Sequence, residues 1–463
     1  MSTETDPVKS TAGVAVLDEA RLSRSVLRMA WPVVVHQVSL SMVQLVDTLL
    51  VGHLGKDALA GVGLGSIVFW IPQSGIFAVG IGAIAVVARN VGSGHRERAS
   101  ATAAMALMMA VAWGVLLALV MALAADPLLR VMGAEPAARS EGVTWMRAAS
   151  IGFPLTAMLY AGSASLTGAG DTRTPMIIML IVNLVNAVVA YTLINGPGPF
   201  PELKVLGSGL GATSAGISGA ALVLLALVAG RGGLKLERFA VLRPDPAEIK
   251  RILNVGLPAG LENLQFNLAF LVYTRIIASL GSAALAAHRV TLSIEGLAFN
   301  PGFALGVATA TLVGQSLGAN RPDLAERSAK VALLWATVVM TSVGIVLLFF
   351  GEPITSLFVS GEDADEVVDI GRQLLFVFAF AMPAMAVSQT LAGGLRGAGD
   401  TRAVLAIGVF GIWVVRLLPA YLLAIVLGFD APGAWLAAVL DVNSRGVLTW
   451  LRFRRGKWKA INV

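Results

Sequence analysis

Long apolar stretches, separated by short polar segments, follow one another along almost the entire chain. Each has about 20 residues or more, enough to cross the hydrocarbon core of a membrane as a helix. The pattern predicts an all-α polytopic membrane protein whose two termini lie on one side of the membrane. The twelve predicted transmembrane helices are at residues 27–52, 62–88, 100–124, 145–165, 175–194, 208–229, 252–279, 285–313, 329–350, 371–392, 403–427 and 432–451.

One hexapeptide, Gly-Ala-Gly-Asp-Thr-Arg, occurs twice, at residues 168–173 and again at residues 397–402. Other matched positions, such as Gly92 and Gly318, lie slightly closer together in the sequence than the two hexapeptides do. The separation of Gly92 from Gly318 is called the repeat offset below. These matches indicate a duplicated unit with three residues gained in the second copy. Because each unit holds an even number of helices, the sequence predicts two parallel six-helix repeats.

The hexapeptides lie in short loops, each after the fourth helix of its half. A structural role explains their composition, since glycine allows unusual backbone angles and Asp and Thr can cap the next helix. The Arg can pair with the Asp or anchor to lipid headgroups. A gating ion pair is the alternative interpretation.

The longest internal polar segment separates the two halves and contains Pro244 and Pro246. It divides the chain into two lobes, and no segment is long enough for a soluble catalytic domain. The predicted organisation is a cytoplasmic N-terminal tail (1–22), a first lobe (23–230), a cytoplasmic linker (231–250), a second lobe (251–452) and a basic cytoplasmic tail (453–463).

Composition agrees with a membrane protein, because 56% of residues are hydrophobic, only 13% are charged and the mean hydropathy is +0.79. The Lys and Arg residues are concentrated in alternate connecting segments and in the tail, whereas the opposite segments include the acidic stretch 362–369. By the positive-inside rule the basic side is cytoplasmic. This placement explains the high isoelectric point, so binding to nucleic acid need not be invoked. The absence of cysteine excludes disulfides and thiolate metal sites.

Four polar residues of the first half are candidates for cation coupling, because ionisable groups within a membrane are costly and mark functional sites. Asp47 lies in the first helix, and His36 is eleven residues earlier on the same face. Asn183 and Asn186 lie in the fifth helix, where their amides could hydrogen-bond a carboxylate. Asp47 could bind and release a proton. Alternatively, Asp47 could be a structural carboxylate hydrogen-bonded to Thr or Asn on a neighbouring helix. The two asparagines could serve only to join helices, and His36 could be a histidine that only packs in the core.

Five residues of the second half form a further group of candidates. A lone arginine within the membrane needs a carboxylate partner, so the acidic and basic members are predicted to form one buried network. That network could be structural ion pairing or a cation or substrate site. The spacing of Asp441 and Arg445 favours a local pair. The five candidates are Glu262, Glu295, Arg416, His288 and Asp441.

Motifs of soluble enzymes are missing from the sequence. No phosphate-binding loop, zinc-protease motif or nucleophile elbow is present, and the four histidines lack metal-ligand spacing. We therefore expect no enzyme activity, no cofactor and no resident metal. A channel is possible, but it explains the unequal charges of the two halves less well.

Several motifs in combination resemble the multidrug and toxic compound extrusion (MATE) family, over about residues 22–455. They are Trp31-Pro32, Val46-Asp47-Thr48, Leu285-Ala286-Ala287-His288, residues 313–319 (Val-Gly-Gln-Ser-Leu-Gly-Ala) and the paired hexapeptides. The resemblance implies two bundles in a V around a central cavity. It also implies alternating access and export of amphiphilic, often cationic compounds against an inward H⁺ or Na⁺ gradient.

Individual family residues can be matched to this chain. The aspartate of the family's first helix matches Asp47, and the asparagine of its fifth helix matches Asn186. The aspartate that several members carry four residues later is Ala190 here.

The acidic residues of the sodium-coupled members fall on Phe266 and near Ala386, so both are absent. Glu262 and Glu295 could hold Na⁺ in their place, with a different geometry.

We therefore expect a monomeric drug exporter in the inner (plasma) membrane, in contact with lipid, with H⁺ favoured over Na⁺ as the coupling ion. In this hypothesis, protonation of Asp47 bends the first helix and narrows the cavity of the first lobe. The alternative is a flippase for lipid-linked precursors or polysaccharides, which would need a basic cavity. Arg416, Arg275 and Arg289 leave room for that alternative.

Overall fold

The computed structural model describes residues 22–70, 73–236, 244–359, 364–461 and 463, and all regular structure in these residues is helical. Most of the predicted N-terminal tail and the middle of the linker lie outside the described residues. The α-helices are α1 (Leu22–Gly52), α2 (Lys56–Trp70), α3 (Gln73–Gly92), α4 (Arg96–Val131), α5 (Pro136–Gly168), α6 (Arg173–Asn195), α7 (Val205–Val228), α8 (Pro246–Ala278), α9 (Ser282–Gly318), α10 (Pro322–Ser356), α11 (Ala364–Ala379), α12 (Met382–Gly397), α13 (Thr401–Val409), α14 (Leu418–Tyr421) and α15 (Asp430–Arg454). Short 3₁₀ helices cover Arg231–Gly233 and Lys457–Ala460, and π-helical segments cover Phe410–Leu417 and Leu422–Val426.

Within the described residues, eight helical stretches are long and apolar enough to cross a membrane. They are α1, α3, α4, α6, α7, α9, α10 and the continuous stretch Thr401–Val426. Helices α11 and α12 add a ninth crossing if this pair, bent by 55°, is one span. The other three predicted transmembrane helices fall on α5, α8 and α15, which are long but less apolar. The count of twelve stays a prediction.

Two large hydrophobic clusters form the core, one in each half of the chain. The start of α1 contributes Val26, Met29 and Ala30 to the cluster of the second half. The start of α8 contributes Ile252 to the cluster of the first half. Val26 and Ile252 are separated by the repeat offset, so they are equivalent positions of the two units. The first helix of each half therefore begins against the opposite half.

Helices α3 and α9 touch backbone to backbone at two matched places. A Cβ atom on Gly92 would lie 2.0 Å from the Gln315 carbonyl oxygen, and one on Gly318 would lie 2.1 Å from the Arg89 carbonyl oxygen. The repeat offset relates Gly92 to Gly318 and Arg89 to Gln315, so the halves exchange roles between the two contacts. Only glycine permits such an approach without displacing a helix. The seam between the halves is therefore closed here by a reciprocal contact.

The first glycine of each hexapeptide also serves helix packing. A Cβ atom on Gly168 would lie 2.7 Å from the Ile84 carbonyl oxygen, and one on Gly397 would lie 2.1 Å from the Ala310 carbonyl oxygen. Ile84 and Ala310 are again related by the repeat offset. The hexapeptides thus end helices α5 and α12 against equivalent points of α3 and α9.

The second glycine of each hexapeptide has the left-handed backbone that the sequence predicts. Gly170 has φ 92° and Gly399 has φ 91°. In the first copy the Asp171 carboxylate accepts hydrogen bonds from the Thr174 backbone N–H (3.0 Å) and from its hydroxyl (2.6 Å). The turn is therefore closed by its own side chain, which supports the structural interpretation of this loop.

The two hexapeptides differ in their charged partners. Asp400 forms an ion pair with Arg452 of α15, at 2.7 Å from Nε to Oδ2. The guanidinium carbon of Arg173 lies 6.0 Å from the centre of the Trp31 ring. The backbone turn of the loop is thus the same in both halves, but its polar contacts differ because different side chains of the neighbouring helices lie beside it.

The Gly397→Ala substitution should lower the thermal stability of the protein in detergent. Its added methyl group would meet backbone rather than a movable side chain, and overpacking of this kind costs about 1–3 kcal/mol. Gly296→Ala is the matched control, because Gly296 is also helical and a Cβ atom there would meet nothing within 4 Å. Equal melting temperatures for the two variants would show that the α9–α12 contact is unimportant.

Candidate functional site

Helices α1 and α6 run side by side in the same direction. Near their starts Arg173 lies over Trp31, and further along both helices the Asn183 side-chain N–H donates to the Ser39 carbonyl at 2.8 Å. Because both contacts advance along the two helices together, the helices are parallel. Asp47 is eight residues beyond Ser39, or about 12 Å further along α1 at a rise of 1.5 Å per residue.

Three of the predicted first-half residues carry buried polar atoms that have no hydrogen-bond partner among the described residues. They are Asp47 Oδ1, Asn183 Oδ1 and both side-chain polar atoms of Asn186. Asn186 is 1% exposed, whereas Asp47 is half-buried. Unpaired buried polar atoms are uncommon because they cost free energy, so their occurrence on the neighbouring helices α1 and α6 marks this region as a candidate site.

The structure separates the predicted first-half residues along the helices rather than gathering them into one compact site. Asn186 is about 4.5 Å beyond Asn183 along α6, and so lies between the levels of Ser39 and Asp47. His36 is about 16 Å from Asp47 along α1 and has a contact of 3.3 Å with the Gln37 side-chain oxygen. These residues therefore form a polar row. Sequence spacing can show that residues share one face of a helix. It cannot show whether residues of different helices lie at the same height along the helix axes.

In the second half, Asp441 binds two arginines. Its Oδ2 lies 2.9 Å from Arg416 Nε, and its Oδ1 lies 2.8 Å from Arg445 Nε. Asp441 is fully buried, and the Arg416 guanidinium lies 5.6 Å from the centre of the Tyr273 ring. The prediction that Arg416 has a carboxylate partner is confirmed, as is the local pair of Asp441 with Arg445.

The backbone around Arg416 is shaped to admit this cluster. Arg416 lies in the π-helical segment Phe410–Leu417, a conformation that is rare and often found at functional sites. A Cβ atom on Gly411 would lie 2.4 Å from Asp441 Oδ1. Glycine is therefore needed at this position, a requirement that no motif in the sequence had signalled.

A small cavity of about 10 Å³, room for about one water molecule, lies beside the cluster. Glu295, Arg416, Tyr273 and Trp435 are among the residues that line it. His288 is fully buried next to this region, and its Nδ1 accepts a hydrogen bond from the Trp435 indole N–H at 3.2 Å. Glu295 and Arg416 thus face a common space.

Glu262 belongs to a different ion pair. Its Oε1 lies 2.7 Å from Arg396 Nη2, and the two side chains are 17% and 18% exposed. Arg396 lies in the last turn of α12, although the sequence indicated only a basic residue next to a loop. The direct partner of Glu262 is therefore Arg396, which the predicted network of Glu262, Glu295, Arg416 and Asp441 did not include, because α8 presents Glu262 to α12.

Among the described residues, no group of three or more His, Asp or Glu side chains is placed to hold a metal ion. The Na⁺ site considered at Glu262 and Glu295 has no such group around it.

Long apolar helices, two internal hydrophobic clusters and buried charged groups define a multi-pass membrane protein. The MatE family model matches the chain twice, over residues 32–192 and 258–422, and the chain belongs to the MATE family. The starts of the two matches are separated by the repeat offset, in agreement with the duplication seen in the sequence.

Curated relatives are similar over nearly the whole chain. A protein of Thermotoga maritima named "Probable multidrug resistance protein NorM" is 29% identical over 442 residues, covering 95% of this chain and 93% of the relative. The uncharacterized transporter YisQ of Bacillus subtilis is 24% identical over 435 residues, covering 94% of each chain.

Solved transporter structures have the same fold. A MOP superfamily transporter from Pyrococcus furiosus aligns with a TM-score of 0.88 at 22% identity, covering 98% of this chain and all of that one. The bent form of the Vibrio cholerae MATE transporter VcmN aligns with a TM-score of 0.86 at 22% identity, covering 96% and 98% of the two chains.

Proposed function

We propose that this transporter is a secondary active exporter of amphiphilic cations, driven by the inward movement of protons. The relatives named as multidrug resistance proteins support an efflux role. The observation that carries the proposal is Asp47, a half-buried carboxylate on α1 whose Oδ1 has no hydrogen-bond partner among the described residues. Within that part of the chain no basic side chain forms an ion pair with it, so a proton or a cationic ligand is its natural counter-charge.

The proposed architecture has twelve membrane helices in two parallel six-helix repeats that form a V around a central cavity. The reciprocal α3–α9 contacts and the exchange of helix starts support a two-fold relation between the halves. The distribution of basic residues supports cytoplasmic termini in the inner membrane. We also propose that the transporter is a monomer.

The second-half charges have a different proposed role. Asp441 with its two arginines is a structural cluster that fixes α15 against the π-helical segment. Glu262 already has Arg396 as its partner, which disfavours Na⁺ binding there. Glu295 lines the small cavity and is the second-half residue best placed to meet an ion.

The flippase alternative receives no support from the arginines that had left room for it. Arg416 is paired with Asp441, so its charge is not free for an anionic headgroup. Arg275 and Arg289 are exposed and do not line the cavity beside Arg416.

Proteoliposomes containing the purified protein test the proposal, with ethidium as the transported cation. An interior more acidic than the outside should drive ethidium uptake, because protons leaving the vesicle exchange for the dye. A Na⁺ gradient at equal pH should not drive uptake. Uptake driven only by Na⁺ would overturn proton coupling, and uptake unaffected by either gradient would overturn secondary active export.

A further inference from the structure

The segment after α15 connects the two halves at the end of the molecule where both hexapeptides lie. This hexapeptide end is defined by Gln315, whose side-chain N–H donates to the Gly168 carbonyl at 3.1 Å, and by Gly314, where a Cβ atom would lie 3.3 Å from the Gly397 carbonyl. The reciprocal contact of α3 with α9 lies at the same level, since it involves Gln315 itself.

The segment is anchored firmly in the second half. Trp458 is fully buried, its ring stacks on Phe453 at 4.7 Å between ring centres, and its indole N–H donates to the Phe453 carbonyl at 2.8 Å. Trp458 packs in a cluster with residues of α9, α10, α12 and α13. Lys459 adds an ion pair to Glu326 of α10. Removing the residues after Ala460 therefore leaves this anchor intact.

Beyond the anchor, the segment reaches the first half. The Arg89 guanidinium, on α3, donates to the Ile461 carbonyl, and the Arg251 guanidinium donates to the Val463 main-chain oxygen at 2.9 Å. The Val463 side chain packs against the hydrophobic cluster of the first half. It also occupies the space that a Cβ atom on Gly399 would need, at 2.4 Å.

Arg251 is itself tied to the first half. Its Nη1 lies 2.6 Å from Glu248 Oε1, and Glu248 accepts a hydrogen bond from the Thr102 hydroxyl of α4 at 2.8 Å. Any movement that separates α3 and α4 from α9 and α10 at this end must therefore stretch the segment between its two points of attachment.

We propose that the described residues 457–461 and 463 act as a strap that holds the hexapeptide end closed and that detaches from Arg89 and Arg251 when this end opens. The inference rests on the alternating access proposed above. Without the strap, the closed state loses hydrogen bonds from charged donors, each of which stabilises by roughly 1.5–3 kcal/mol. The fraction of molecules open at the hexapeptide end should then rise by at least about tenfold.

Spin labels can measure the opening directly, because the chain contains no cysteine. Glu97→Cys on α4 and Asp323→Cys on α10 are exposed, lie in opposite halves and are matched by the repeat offset. Distances between these labels in lipid nanodiscs should show a short and a long population. A variant ending at Ala460 and the Arg89→Gln variant should both enlarge the long population.

Two controls separate the strap from general effects of charge or of destabilisation. Arg372→Gln removes only an exposed ion pair within α11 of the second half, and Arg98→Gln removes an exposed arginine of α4, so both should leave the populations unchanged. The strap is overturned if the Ala460 variant and Arg89→Gln match the wild type while two populations are present. A single wild-type distance at every pH would instead overturn alternating access, and the strap with it.

Discussion

Replacing Asp47 with asparagine should reduce proton-driven ethidium uptake to the level of protein-free liposomes. The amide keeps the size and shape of the side chain but cannot take up or release a proton. The protein should remain folded, because the buried Oδ1 of Asp47 has no hydrogen bond to lose among the described residues. The loss is therefore expected in transport and not in the yield of folded protein.

The same assay with two further variants makes this result specific. Asp365→Asn is the control, since Asp365 is an exposed carboxylate at the start of α11 and should transport normally. Asn186→Ala should reduce uptake less than Asp47→Asn, because Asn186 belongs to the polar row but carries no titratable group. Wild-type uptake by Asp47→Asn would remove Asp47 from the coupling mechanism.

The Asp441→Asn substitution should cause the largest loss of stability among the charged-residue variants. It leaves Arg416 and Arg445 buried together without the carboxylate that both bind. Breaking a buried pair in this way costs about 3–5 kcal/mol, because the remaining charge is uncompensated. We expect a much lower melting temperature in detergent and a low yield of folded protein.

Asp369→Asn is the matched control for this substitution. Asp369 also pairs with an arginine, Arg372, at 2.8 Å, but the two side chains are 58% and 50% exposed. Exposed pairs contribute about 0–1 kcal/mol, so this variant should remain close to the wild type. The stability of the Arg416→Met variant should lie between those of the two aspartate variants, since Asp441 keeps Arg445 as its partner. Equal stability of the two aspartate variants would show that the buried cluster is not structural.

The sequence predicts those features that depend on position along a single helix or on the repeat. The Asp441–Arg445 pair follows from a spacing of four residues, and the left-handed Gly170 and Gly399 follow from the composition of a short turn. The MATE family was also recognised correctly, because its motifs are short and local and can be read without knowledge of helix packing.

Features that depend on how helices face one another could not be predicted in this way. Glu262 was grouped with Asp441, yet it meets Arg396, because rotation of α8 about its axis decides which helix it faces. Asn183 was grouped with Asp47, yet it binds Ser39, because the axial alignment of α1 and α6 is set by packing. The order of polar residues in the sequence reveals neither the rotation of a helix about its axis nor its axial alignment with a neighbouring helix.

The reciprocal contact between α3 and α9 has the form of an interface between two identical subunits. In such an interface residue i of one subunit meets residue j of the other and j meets i, as Gly92 with Gln315 and Gly318 with Arg89 do here. A homodimer would carry the same side chain at both equivalent places. Joining the units in one chain lets Asp47 and its counterpart Tyr273 differ. One half thus keeps a carboxylate that forms no ion pair within the described part of the chain, and the other has an aromatic ring beneath Arg416.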